Sequence, residues 1–485
     1  MTSPLLRNIP SVNELLESPQ LKGLVNRVSR NVVVTGVRSF LSKLRDDVQQ
    51  AAADMKVPTP SDLAEHIAKW IMTEEVPPLR PVINATGILL HTGLGRAPLA
   101  DDAIEAIRDV AGGYASVEVD VKTGERSQRV QAVEKLLRQL TGAEAAAVVN
   151  NNAGATLLAL SALATGREVI VSRGQLIEIG GSYRLPEVMT ASGARLREVG
   201  TTNKTRVGDY DAAISEQTAA LMRVHTSNFV VCGFTEEASL EELVALGRKR
   251  SLPVIDDIGS GALIDFAQFG LKGEPMASAS LKAGADLVLF SGDKLLGGPQ
   301  CGIIIGRKDL VQKISKHPLM RALRVDKMTL AALAATLRLY QDDSAAKQSI
   351  PLLALLNTPL ENLKNRAERL APQIAATKAV ASAEAVEGRA FLGGGSVPTQ
   401  EIPTWCIAVA PAEKSVDELA TALRRGSPSL FGRVQQSRLF LDLRSVLPRQ
   451  DLQLVEAFQS ITASDDQPEP PAKSSADSPA ESPVE

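Results

Sequence analysis

Lys294 stands in "FSGDKLLGGPQCGIIIG" (290–306), flanked by Ser291, Gly292 and Asp293 on one side and by Gly297, Gly298 and Pro299 on the other. Apolar runs close the stretch at both ends. A lysine that only decorates a surface needs no such company, whereas one that forms a Schiff base with an aldehyde must be held rigidly. An aldehyde cofactor of the pyridoxal 5'-phosphate kind would add two demands. Its ring nitrogen requires a carboxylate, so that the protonated ring can draw electrons from a carbanion. Its phosphate requires backbone amides at a helix N-terminus and a hydroxyl or two.

Residues of the right types occur for each demand. "PVIDDIGSG" (253–261) sets Asp256 and Asp257 at the end of an apolar run. "VVNNNAGATLLAL" (148–160) ends a strand-like run in polar residues and restarts as a helix at Asn152, Ala153 and Gly154, as an anion seat would. Ser291 can reach the same phosphate from the side of the lysine. Two acids at a strand end are more often a turn or a cap, and a strand-to-helix turn is ordinary, so each feature is weak alone. Together they form a specific constellation. Rival phosphate motifs are missing: there is no Gly-x4-Gly-Lys-Ser/Thr, and "GLGRAP" (93–98) lacks the third glycine of a dinucleotide fingerprint.

The elements that must position these residues follow from periodicity. From about 79 to 330, short apolar runs ("AAAVVN", "REVIVS", "ARLREVG", "AALMRVH", "LPVIDD", "DLVLF" and "GIIIG") alternate with helical stretches such as "GATLLALSALATG". Such alternation predicts an α/β fold with a mainly parallel sheet, whose ligands sit at the carboxyl ends of the strands. The polar words fall there. Residues 331–463 read as a smaller C-terminal α/β domain, with "TWCIAVAP", "SLFGRV" and "RLFLDLR" as strands. Residues 464–485, rich in Pro, Ser and acids, read as a disordered tail. Residues 1–78 read as a helical N-terminal domain, with Ser61 as an N-cap and "EVPPLRP" as the linker that ends it. Lys22, Arg27, Arg30, Arg38, Lys43 and Arg45 occur there with no acid between positions 18 and 45. They form either a solvated helix face or a local patch for RNA phosphates.

Composition excludes several classes. At 485 residues, net charge −3 and pI ≈ 6.0, the chain is not a uniformly basic nucleic-acid binder. The cysteines Cys232, Cys301 and Cys406 are far apart, which suits a reducing cytosol better than a disulfide framework. His66, His91, His225 and His317 show no metal-ligand spacing, so no metal is expected. No apolar run reaches the roughly 20 residues of a membrane span, and the N-terminus has no signal-peptide core. A cytoplasmic protein is expected.

The words "FSGDKLLGGPQCGIIIG", "VVNNNAGAT", "VSRGQLIEIGGSYRLPEVM", "VGTTNKT", "VHTSNF" and "HPLMRALRVDKMTLAALAATLRLY" resemble the bacterial selenocysteine synthases, the L-seryl-tRNA(Sec) selenium transferases. The resemblance runs from about 79 to the early 340s and is thinner on either side. It implies a fold-type-I pyridoxal-phosphate enzyme that assembles as a homo-oligomer, a ring of dimers such as a decamer. The substrates it implies are seryl-tRNA(Sec) and selenophosphate. On this resemblance Lys294 is the Schiff-base lysine, Asp257 the partner of the ring nitrogen and Asp256 the fallback. Asp293, which falls in the lysine's motif, orients groups at the reacting centre; Arg173 is expected to flank the ring from its position after a strand alone. Arg96, Arg321 and Arg324 hold the selenium donor. The implied reaction removes water from the seryl ester to give aminoacrylyl-tRNA and then adds selenium. A rival reading is a lyase of small phosphorylated amino-sugar acids. It shares the lysine and arginines but has no use for a basic helical front. A third, a tRNA-binding protein on a decayed scaffold, would have lost Lys294 or its acid; both are present.

Overall fold

The computed structural model describes residues 9–25, 30–50, 58–74, 79–127, 129–180 and 183–461. The expected tail and the linker residues 75–78 lie outside them, as does Arg27. By its contacts the chain divides into two compact units, Met1–Pro81 and Val82–Glu485.

The first unit is helical, with helices at Val12–Leu16, Pro19–Val25, Arg30–Gln50 and Pro60–Glu74. Its small core is made by Leu15, Leu21, Val33, Val37, Leu41, Ile67 and Ile71, spaced at three and four as one buried stripe per helix requires. Gly36 lets the two longer helices approach, because a Cβ there would run into the Ile71 side chain. The Pro60–Glu74 helix starts two positions earlier than expected. Thr59, not Ser61, caps it, accepting the Asp62 amide at 3.3 Å, and Pro60 fills the first helical position, where no amide is required. Lys22, Arg30, Arg38, Lys43 and Arg45 are all exposed.

The second unit is built on a seven-stranded sheet. Its strands are β1 (Ala145–Val149), β2 (Glu168–Ser172), β3 (Arg195–Val199), β4 (Thr218–Val224), β5 (Val254–Gly259), β6 (Leu287–Ser291) and β7 (Gly302–Gly306). They lie in the order β1-β7-β6-β5-β4-β2-β3, parallel except for β7, which runs antiparallel to both neighbours. The exception has a chain-length cause. A parallel neighbour needs a crossover of about a dozen residues or more, usually through a helix, whereas β6 returns as β7 through the loop Gly292–Cys301 alone. Alternate residues of each strand enter different cores. Val148, Val288, Ile303 and Ile305 face one side, while Val149, Leu289, Ile304 and the Asn152–Ala164 helix meet on the other. Burial on both faces explains why these strands read as unbroken apolar runs.

The smaller sheet differs more from expectation. Its centre is a long hairpin, Val380–Gly393 with Ser396–Pro411, turning through Gly393, Gly394 and Gly395, all at positive φ. The first arm, "VASAEAVEGRAFLG", is rich in helix-forming Ala and Glu, and cross-strand pairing overrides that propensity. "SLFGRV" is not one strand. Ser429–Phe431 pairs in parallel with Val82–Asn84, while Arg433–Gln435 pairs with Arg438–Asp442. Ile88–Leu90 also joins this sheet, parallel to Val380–Gly393. Ile88–Leu90 is therefore a strand of the C-terminal sheet, and Val82–Asn84 forms a separate two-stranded sheet with Ser429–Phe431, although the sequence pattern assigned both to the larger domain.

Candidate active site

The polar residues gather at the carboxyl edge of the large sheet, because β1, β4, β5 and β6 all end there. Lys294 follows β6 directly and is only 5% exposed. Its loop is pinned from several sides. Leu295 donates its amide to the Ser260 carbonyl at 2.9 Å, Gly292 to Cys301, and Gly298 to Gly292. The Tyr340 hydroxyl reaches the Leu296 carbonyl at 2.8 Å. Gly292 has no room for a Cβ, which would meet the Pro299 carbonyl and the Cys301 sulfur. Cys301 is thus a buried packing residue, and burial pushes its thiol well above the ordinary range. Gly261 (φ 78°) lies so close to the Ser291 carbonyl that no side chain fits. Here the glycines of both motifs serve close backbone approach.

Neighbouring residues on a strand point to opposite faces, and β5 uses this to separate its two acids. Asp257 turns toward the Asn152–Ala164 helix. It accepts Asn152 Nδ2 at 2.9 Å, Thr156 Oγ1 at 2.9 Å and the Gly259 amide at 3.1 Å. Burial pushes its carboxyl up, and the Asn152 and Thr156 bonds and the Lys294 charge pull it back. Asp256 points the other way, to Arg223 at 3.2 Å, whose charge is the main pull against its burial. Asp257 is coupled to the lysine. The Lys294 amine is held below its ordinary range, first by burial and then by the Arg96 charge, against the pull of Asp257, Asp293 and Glu274. A lowered amine pKa is what a carbonyl-attacking lysine requires.

Asp293 is a junction. Its Oδ1 accepts the Ser291 hydroxyl at 2.6 Å and its Oδ2 accepts Arg96 Nη1 at 2.9 Å. Ser291 is therefore committed to Asp293, contrary to the expectation that its hydroxyl is free for phosphate. Arg96 sits in a tight turn at positive φ (62°). Gly154 also differs from expectation, since its amide is taken by the side chain of Asn151, the N-cap, at 2.8 Å. That leaves the amides of Asn152 and Ala153 at this helix start. Leu323 closes over Gly154, and its carbonyl accepts the Asn150 amide at 2.9 Å. This brings the segment bearing Arg321 and Arg324 beside the helix start. Both arginines are exposed, and neither side chain makes an ion pair or hydrogen bond among the described residues. Arg173 is not at the ring position expected of it. It is exposed, with Nε on Glu198 at 3.2 Å and Nη1 on the Gly200 carbonyl.

Three residues of the site were not singled out by sequence reasoning. Thr156, one helical turn beyond Asn152, shares its face, a spacing that could have disclosed it. His225, at the end of β4, donates its amide to the Asp257 carbonyl at 2.9 Å. Burial, with Arg223 and Lys294 nearby, lowers its imidazole to about 4, so it is neutral at pH 7. Glu274 carries no motif at all, and it lines a cleft of about 390 Å³ with His225, Ser227, Lys272 and Val397.

These groups fit pyridoxal phosphate. They supply a buried amine, a carboxylate coupled to it and fixed by three donors, and free amides at a helix start. Asn152 Oδ1 is in addition buried without a partner. Among the described residues no cluster could hold a metal ion.

Comparison with known proteins agrees with this geometry. The family model for L-seryl-tRNA selenium transferase matches residues 82–447, and a selenocysteine synthase N-terminal model matches residues 6–45. The L-seryl-tRNA(Sec) selenium transferase of Carboxydothermus hydrogenoformans is 48% identical over 446 residues, covering 91% of this chain and 95% of its own. That of Moorella thermoacetica is 48% identical over 457 residues, 94% of this chain and 96% of its own. That of Geobacter sulfurreducens is 45% identical over 463 residues, 95% of this chain and 100% of its own. Among solved structures, a D-glucosaminate-6-phosphate ammonia-lyase superposes with a TM-score of 0.55 at 22% identity, covering 79% of this chain and 95% of its own. That likeness is one of fold.

Proposed function

The chain belongs to the L-seryl-tRNA(Sec) selenium transferase family, and on that premise we propose that Lys294 binds pyridoxal 5'-phosphate as the centre of the site. The enzyme converts L-seryl-tRNA(Sec) to L-selenocysteinyl-tRNA(Sec). The observation that carries the cofactor reading is Asp257, a buried carboxylate held by Asn152, Thr156 and Gly259 and coupled to a buried lysine. When bound, the cofactor supplies an electron sink for the carbanion at the serine Cα.

The chain's own residues do the remainder. Lys294, its amine held below the ordinary range, would hold the cofactor through its aldehyde carbon and serve as the base that takes the Cα proton. Asp257 would hold the ring nitrogen and keep it protonated. Asn152 and Thr156 hold Asp257 in place, and the amides of Asn152 and Ala153 would hold the phosphate. Asp293, bridging Ser291 and Arg96, ties the lysine loop to the first arginine of the donor site.

Selenophosphate is the proposed selenium donor. Its anionic oxygens suit guanidinium forks, and the unpaired side chains of Arg321 and Arg324 support that role. Replacing either by alanine is expected to slow the donor-dependent step about ten- to a hundredfold, the worth of one charge-assisted hydrogen bond of roughly 1.5–3 kcal/mol. Loss of water from serine should persist, and the aminoacrylyl ester should accumulate. Following that species with selenophosphate withheld and then added checks this. Failure before water loss would move the arginines to tRNA or cofactor binding.

The exposed cations of the N-terminal helices support binding of the tRNA backbone. Changing Arg30, Arg38 and Lys43 together to glutamine should weaken tRNA binding without touching cofactor content. It should also flatten the dependence of log affinity on log salt, by up to about one for each phosphate that is no longer neutralised. An unchanged slope would place the tRNA elsewhere. Exposed Tyr114, Val121 and Phe234 support self-association into a homo-oligomer. Among the described residues no helix is long and apolar enough to cross a membrane.

A further inference from the structure

Water loss from serine breaks a Cβ–O bond, and hydroxide leaves poorly unless it is protonated as it departs. Three carboxyl groups act on the Lys294 amine: Asp257, Asp293 and Glu274. Asp257 already accepts three hydrogen bonds, and Asp293 has one oxygen on Ser291 and the other on Arg96. Glu274 differs. Its Oε1 accepts the Val397 amide at 3.1 Å, while its Oε2 is buried and makes no close hydrogen bond among the described residues, with only the Ser260 hydroxyl, itself unpartnered, near enough to act on the carboxyl. It lines the same cleft as His225 and Ser227, and its charge acts on the Lys294 amine.

We propose that Glu274 is the general acid that protonates the departing β-hydroxyl of the tRNA-borne serine, an inference that rests on the family function above. The step balances as follows. The Cα proton passes to the Lys294 amine, and its electron pair becomes the Cα=Cβ bond. The Cβ–O pair leaves with the oxygen, which takes the Glu274 proton and departs as water. Lys294 is left as ammonium and Glu274 as carboxylate, which solvent reprotonates once the product water is gone. Burial raises the Glu274 carboxyl above its ordinary range, offset by its hydrogen bonds and by Lys294, which favours the proton-bearing form. The Ser260 hydroxyl also acts on it, and the other titratable groups lining its cleft are Lys204, His225, Glu236, Glu237 and Lys272. The imidazole, lowered to about 4, is already neutral and is a poor acid at pH 7.

Glu274→Gln tests this, because the amide oxygen can still accept the Val397 amide but the side chain cannot release a proton. In the holoenzyme, water loss from seryl-tRNA(Sec) should fall about 10²–10⁴-fold. Deuterium wash-in at the serine Cα from D2O should continue. A β-chloroalanyl-tRNA(Sec), whose chloride leaves without a proton, should be eliminated within a few-fold of the parent rate. Without cofactor, the infrared difference between parent and variant at neutral pH should show one protonated carboxyl carbonyl lost. Equal losses with the seryl and chloro substrates would overturn the proposal, as would an infrared difference showing Glu274 ionised. If the parent itself eliminates chloride but never water, the family function fails, and the role of Glu274 fails with it.

Discussion

Lys294→Ala is expected to abolish conversion of seryl-tRNA(Sec), together with the covalent retention of cofactor and the yellow colour it gives the protein. The loss combines two roles of one amine. As the base at Cα alone, Lys294 accounts for about 10²–10⁴ in rate, and without it the cofactor also loses its covalent anchor. The fold should not suffer. Burial disfavours the ammonium form of Lys294, so the folded state gains nothing from its charge near neutral pH, and alanine should leave the melting temperature of the cofactor-free protein unchanged or higher. Absorbance, turnover and a thermal melt on one preparation separate these effects. A colourless variant that also melts much earlier would mean that the loop, not the amine, had been lost.

Asp257→Asn is expected to retain cofactor but to lose about 10²–10³-fold in Cα deprotonation, since a neutral amide cannot hold the ring nitrogen protonated and one preorganised charge is worth about that much. Asp256→Asn should show the opposite pattern. Its partner is Arg223, on the other face of β5, so the substitution should cost about 1–3 kcal/mol of stability through a weakened buried bond and leave proton exchange nearly intact. Deuterium exchange at the serine Cα and a urea midpoint on each variant distinguish the two. Reversed effects would mean that the wrong acid of the pair has been placed at the ring.

Much of this was legible because strand chemistry is local. Unbroken apolar runs such as "GIIIG" and "DLVLF" announce strands buried on both faces, and their polar ends announce the edge that binds ligands. Alternation along β5 then decides between Asp256 and Asp257, but only once the side bearing the Asn152–Ala164 helix is known, and that is a tertiary fact. Arg173 shows the limit of reasoning from position after a strand. It follows β2 as expected, yet Glu198 and the Gly200 carbonyl draw it to the surface. Glu274 was illegible as a site residue because nothing local marks it, whereas His225, at the polar end of "AALMRVH", is marked by the same pattern as the strand-end acids. The Val380–Gly393 strand was hidden for the converse reason, its Ala and Glu residues favouring a helix that hairpin pairing forbids.

We propose that Lys294 carries the cofactor against Asp257. The measurement that tests this most directly is borohydride reduction of the holoenzyme, followed by digestion and mass mapping of the pyridoxyl label. The label should lie on one peptide, that containing Lys294, and should be absent after Lys294→Ala. A label on any other lysine of the parent, or one that survives the substitution, would contradict the account.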